Sequence, residues 1–171
     1  VILKPIWKDI APLDPDGLLQ EEWLNSRGVV AKFFRDALEI RVLDCQESPV
    51  CDFAIAALVV EATKALYEER WASLDELAAL PTETLAAQFR AATRDAEQTP
   101  ITDPALLRTL GMPPTATDLQ RVWRHLAETV LPSAATVDAA LARPLHTILA
   151  EGPLARRMLA AVPRQGSCGG D

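Results

Sequence analysis

The run "VCDFAIAALVVEATKALYEERW", Val50 to Trp71, limits the possible folds more than any other part of this sequence. "ESPV" just before it supplies a helix start, with Ser48 as N-cap and Pro49 at the first helical position. The first half of the run is apolar nearly all round, the pattern of a helix packed centrally in its fold. The rest of the chain must supply elements that wrap around it.

Most of those elements read as helices. "SLDELAAL" opens one at Ser73, and "TETLAAQFRAATRDAE" follows Pro81 with Thr82 and Thr84 as alternative caps. "TDPALLRTLG" is a compact helix capped by Thr102 or Asp103 and ended by Gly111. "TATDLQRVWRHLAETVL" places Leu119, Val122, Trp123, Leu126 and Val130 at helical spacing. Two last helices span roughly 136–151 and 153–162. The turn-rich tail "PRQGSCGGD" is expected to be disordered.

The N-terminal part differs. Residues 1–26 read as irregular, broken by Pro5, Pro12, Pro15 and the "DPDG" turn at Asp14–Gly17, with a short helix expected in "LLQEEWLN". "GVVAKFF" and "ALEIRVL" are two β-prone runs separated by Arg35-Asp36, an antiparallel hairpin. The expected fold is therefore α+β and predominantly helical, a β-hairpin followed by about six helices. Residues 1–48 form the loop region and hairpin, 49–163 the helical region and 164–171 the tail, all within one incomplete domain. A lone hairpin is marginally stable, so this one is expected to belong to a larger antiparallel sheet whose other strands precede it in a longer parent. The absence of an initial methionine agrees with a fragment.

Composition removes several function classes. A length of 171 residues suits one domain with a real core. A net charge of −7 argues against nucleic acid as the main partner, because a phosphate backbone needs a basic face. The longest apolar stretch, "FAIAALVV", stops at Glu61, too short to span a bilayer, and no signal peptide is recognisable, so a cytoplasmic protein is expected. Cys45, Cys51 and Cys168 lack the spacing and the histidine of a zinc site and read as buried free thiols. His125 and His146 fall on separate helices and read as ordinary structural or surface residues. "DPDG" fails as a calcium loop, since Pro12 and Trp23 would fall at ligand positions. There is no Gly-rich phosphate loop and no nucleophile elbow. Trp7, Trp23, Trp71 and Trp123 read as core anchors, and the "EERW" charges as the polar end of the long helix.

What remains is the strand "ALEIRVLD", Ala37 to Asp44, with two charges in an aliphatic run. Alternation puts Leu38, Ile40 and Val42 on one face, suited to receive the long helix, and Ala37, Glu39, Arg41 and Leu43 on the other. With Arg35-Asp36 as a two-residue loop, Lys32 sits opposite Glu39 and Val30 opposite Arg41. "NSRG" adds Arg27 at the mouth of the first strand. One reading is an exposed face with a Lys32–Glu39 cross-strand pair. The other is a functional pair, in which Glu39 offers a hard oxygen to Mg²⁺ and Arg41 a planar fork to phosphate.

"LEIRVLD" followed by "SPV" resembles the E-x-R-x-L-D strand and Ser-Pro helix start of the glutamate–cysteine ligase superfamily. The longer stretch over residues 11–58 is more similar to the bacterial family 2 carboxylate–amine ligase branch, and the helical remainder resembles its C-terminal end more loosely, through about residue 162. The resemblance implies a sheet-based site that uses ATP and Mg²⁺ to activate a glutamate carboxylate as an acyl phosphate, which an amine such as that of cysteine attacks. It implies Glu39 as a magnesium ligand, Arg41 as the catalytic and ATP-contacting residue, and Arg27 and Lys32 as binders of phosphate or substrate carboxylate. The family's other acidic metal ligands lie on N-terminal strands that residues 1–26 do not replace, so this chain alone is expected to be inactive. The expected partners are small-molecule substrates and the missing sheet strands, or a second copy paired through the open sheet edge. The competing reading is a non-catalytic helical interaction module whose hairpin pairs with a partner's sheet edge.

Overall fold

The computed structural model describes residues 3–19, 28–133 and 139–162. Arg27, Trp23, Cys168, most of the "LLQEEWLN" stretch and the 164–171 tail lie outside these residues. The chain forms two compact units, Val1–Cys45 and Gln46–Asp171. The fold is α+β and mostly helical, with seven helices after the hairpin among the described residues, where about six were expected.

The first unit begins with α1, Leu3–Ile10, where an irregular segment was expected. Pro5 does not prevent it because the first turn's N–H groups have no intrahelical acceptor to lose. "DPDG" is a turn as read: the Gly17 N–H donates to Asp14 O at 3.1 Å, and the Asp14 carboxylate accepts from the Leu18 and Leu19 N–H groups at 2.8 and 2.9 Å. Strands β1 (Val29–Lys32) and β2 (Ala37–Ile40) pair antiparallel as a two-stranded sheet.

The second unit is built around α2, Pro49–Tyr67. Pro49 sits at the first helical position as expected, but Ser48 does not cap with its side chain. Its hydroxyl donates to Cys51 Sγ at 3.3 Å. One face of α2 (Cys51, Ala54, Leu58, Ala62, Ala65) is buried, and the helix packs on α6 (Leu119–Val130) and α7 (Ala142–Glu151). Ile101, Leu107, Val122, Leu126, Val130 and Leu145 complete that core, with Trp71 and Trp123 packed against it.

Local capping signals place the remaining helices. α3 (Leu74–Ala78) has a full capping box between Ser73 and Glu76. α4 (Thr82–Asp95) starts after Pro81 without any side-chain cap, so neither Thr82 nor Thr84 caps it. Asp103, not Thr102, caps α5 (Pro104–Thr109), accepting from Ala105 and Leu106 N–H. Gly111 follows α5 with φ +72. A two-residue bridge not foreseen from sequence, β3 (Pro100–Ile101) with β4 (Thr117–Asp118), fastens the segment before α5 to the start of α6. α8 (Leu154–Ala161) closes the described chain.

The "EERW" charges are more than a polar helix end. Glu69 takes a positive φ that ends α2 and accepts from Leu74 N–H at 2.9 Å, and Arg70 donates to Thr129 O at 3.2 Å. Of the two described cysteines, Cys45 is exposed and Cys51 buried, which corrects the thiol reading for Cys45; both are free. Among the described residues no helix is long and apolar enough to cross a membrane.

Candidate functional site

The hairpin register differs from the expected one. Lys32 pairs with Ala37 and Val30 with Glu39, so the loop has four residues, 33–36, and not two. A two-residue loop of the favoured hairpin type needs positive φ at both central positions. Only Asp36 takes it here (φ 48), while Phe33–Arg35 turn as a 3-10 segment and the Asp36 N–H closes on Phe33 O. Phe33 and Phe34 thereby leave the strand for the loop, where both are exposed.

The shift is by two positions, so every side chain keeps its face. Val30, Lys32, Ala37 and Glu39 share one side of the ribbon, and Arg41 extends it, its N–H donating to Gly28 O at 2.8 Å. Lys32 therefore still reaches Glu39, diagonally and not directly opposite: Nζ lies 3.0 Å from Oε2. Arg41 grips the same carboxylate as a fork, Nε to Oε1 at 2.8 Å and Nη2 to Oε2 at 3.2 Å. The pair is open to solvent, with Glu39 and Arg41 side chains about 40% accessible (41% and 37%).

Burial on the ribbon also departs from expectation. Val30, on the charged face, is buried, whereas Leu38 and Val42 on the aliphatic face are exposed. A two-stranded ribbon cannot cover its own faces, so alternation predicted which residues share a side but not which side is covered.

The hydrogen bonds from Arg41 and then Lys32 hold the Glu39 carboxyl down to about 2 from its ordinary 4.5. The folded value lies below the unfolded one, so the contribution to stability is present in full above pH 4.5. It is lost as pH falls from there through about 2. We expect carboxyl-detected NMR to place the Glu39 midpoint near 2, and Arg41→Met to move it upward toward 4.5. A midpoint near 4.5 in the unaltered protein would show that the fork does not form in solution.

A second forked pair belongs to the helical unit. Arg157 of α8 donates from both Nη atoms to Glu47 at 2.8 Å, holding that carboxyl near 2 as well. Beside it, Leu154 N–H donates to Gln46 Oε1 at 3.1 Å. The residues that open this unit are thus fastened to its last helix. Sequence reading missed this link because the partners are more than a hundred positions apart and neither sits in a motif.

A cleft of about 340 Å³ lies between α3, the Leu80-Pro81 turn and α5, lined by Trp71, Glu76, Leu80, Pro81, Arg108 and Thr109. Its one carboxylate, Glu76, accepts from the Ser73 N–H and hydroxyl on Oε2 as part of the α3 cap. His125 and His146 stand on α6 and α7, and among the described residues no cluster of three or more His, Cys, Asp or Glu is placed to hold a metal ion. The Lys32–Glu39–Arg41 face is the candidate site.

Comparison with known proteins adds little to this geometry. No family model matches the chain. An uncharacterized protein from Archaeoglobus fulgidus is 44% identical over 52 residues, a stretch that makes up 30% of this chain and 14% of that protein. The chain therefore spans only a small part of the curated relative it matches. No solved structure matches.

Proposed function

We propose that this chain is the C-terminal part of an ATP-dependent carboxylate–amine ligase, related to the glutamate–cysteine ligases, and that its hairpin forms one wall of the nucleotide site. The observation that carries the reading is the convergence of Lys32 and Arg41 on Glu39, on one accessible face of a two-stranded ribbon. One carboxylate with two cations is a poor donor set for a bare metal ion. It suits a magnesium–phosphate unit, in which the phosphate supplies most of the oxygen ligands. Phosphate oxygens would take over the Arg41 and Lys32 donors, and Glu39, released from them, would offer its oxygens to Mg²⁺. The bound ion would neutralise charge on the phosphates of the nucleotide. Arg41 would then orient the γ-phosphoryl group for transfer to the substrate carboxylate, most simply glutamate, with ADP leaving, and the amine, of which cysteine is one example, would attack the resulting acyl phosphate and displace inorganic phosphate.

The remaining acidic ligands would come from elsewhere in a longer protein, so the 171-residue chain is expected to bind nucleotide without turning it over. Phosphorus NMR titration with Mg·ATP should show saturable, millimolar binding, weakened about tenfold by Arg41→Gln, the loss of one charge-assisted contact of about 1.5 kcal/mol. No saturation up to 20 mM, or equal binding by Arg41→Gln, would sink the assignment. Steady turnover of ATP with glutamate and an amine would refute the incompleteness.

A further inference from the structure

The central helix α2 is apolar on two opposite sides, and only one of them is used. Cys51, Ala54, Leu58, Ala62 and Ala65 face the core. On the other side Phe53, Ala56, Val60, Thr63 and Tyr67 are all exposed, with Phe53 at 66%, Val60 at 62% and Tyr67 at 76%. Their spacing alternates between three and four residues for the length of the helix, the period of a seam that packs against another helix. An exposed stripe with two aromatics at the centre of a fold marks an interaction surface.

We propose that this stripe is a self-association surface, on which α2 of one copy packs antiparallel against α2 of a second. The stripe is complementary to itself in size and charge. Antiparallel seams place first-type heptad positions against fourth-type ones, so Tyr67 of one copy lies over Ala56 of the other and Val60 meets Thr63. Large side chains then fall on small ones in the outer layers, with the two-fold axis between Val60 and Thr63. The helices overlap over residues 56–67, so Phe53 and Asp52 both lie beyond the overlap, next to the turn after Tyr67 of the other copy, and Lys64 faces the Ala57 edge. A fully covered aromatic buries about 150–250 Å², so the paired 56–67 stretches, each with Tyr67 and Val60, remove roughly 800–1,000 Å² in total. That is the lower edge for a specific interface and sets the expectation of a weak dimer. This surface is independent of the nucleotide-binding reading and of the open edge of the hairpin.

Sedimentation velocity on the full chain tests it. The weight-average mass should rise from 18.6 kDa near 1 µM toward twice that value at about 200 µM. Val60→Glu should abolish the rise, and Ala56→Trp, which fills the seat of Tyr67, should weaken association at least tenfold. Both positions are exposed in the single chain, so unchanged far-UV circular dichroism confirms that each variant is folded. Leu38→Lys, which places a charge on the exposed hairpin strand, should leave the dimer intact. A monomer at 200 µM overturns the proposal. So does a dimer that survives Val60→Glu, and so does one lost only in Leu38→Lys, which would place association at the sheet edge.

Discussion

Gly111→Ala lowers the thermal midpoint of the helical unit by about 10 °C. Two independent penalties meet at this residue. Gly111 closes α5 in the left-handed region (φ +72), with its N–H donating to Arg108 O at 3.0 Å and the Met112 N–H returning to Leu107 O at 3.0 Å. A Cβ there costs about 1 kcal/mol in backbone conformation alone. It would also stand 2.5 Å from Trp71 Cδ1 and 2.8 Å from Cγ, the rigid body of a ring that packs against the core. Overpacking of this kind costs about 1–3 kcal/mol. The sum, about 3 kcal/mol, corresponds to roughly 10 °C for a unit of this size. Gly111→Asn separates the two contributions, because asparagine tolerates the left-handed backbone but keeps the clash. A melting curve of Gly111→Ala within 3 °C of the unaltered protein would mean that the indole does not occupy this position.

The Gly111 stop could be read in advance because its signal is local, a glycine directly after a periodic apolar run. The same holds for the helix start at Ser73, for a cap at Thr102 or Asp103, for Pro49 at the start of α2 and for the Asp14–Gly17 turn. Each of these requires only a few consecutive residues to agree. What could not be read depends on distant parts of the chain. The Glu47–Arg157 fork and the β3–β4 bridge join segments with no shared motif, and α1 forms despite a proline that looked like a breaker. Ser48 shows a different limit: its position was correct, but its hydroxyl oxygen accepts from no helix N–H, and its O–H donates to Cys51 Sγ.

The charged face was legible for a reason of parity. Placing Glu39, Arg41 and Lys32 together required only that strands alternate and that the register error be even. The loop proved two residues longer than assumed, and that error is even, so the cluster survived while its geometry changed from opposite to diagonal. An odd error would have sent Lys32 to the other side of the ribbon. The remaining ligands of the proposed site would come from other strands, and alternation within one hairpin carries no information about them.

The two sides of α2 supply the second large effect, and the contrast between them is the test. Leu58 is 4% exposed within the cluster formed with Val122, Leu126 and Leu145. Leu58→Ala removes its buried methyl groups and leaves a cavity between α2, α6 and α7, at a cost of about 3 kcal/mol, within the 2–5 kcal/mol range for such truncations. Val60, two residues on and mostly exposed, should change the stability of the single chain by less than about 0.5 kcal/mol when replaced by alanine. Urea unfolding at 1 µM, where self-association does not contribute, measures both. Comparable losses at the two positions would mean that α2 is surrounded on all sides within one chain, which would remove the basis for a helix-to-helix surface. A large loss at Leu58 with none at Val60 would leave the apolar character of the exposed face without any role in the fold of the single chain. Hydrophobicity at Phe53, Val60 and Tyr67 would then have to be explained by what covers the helix from outside.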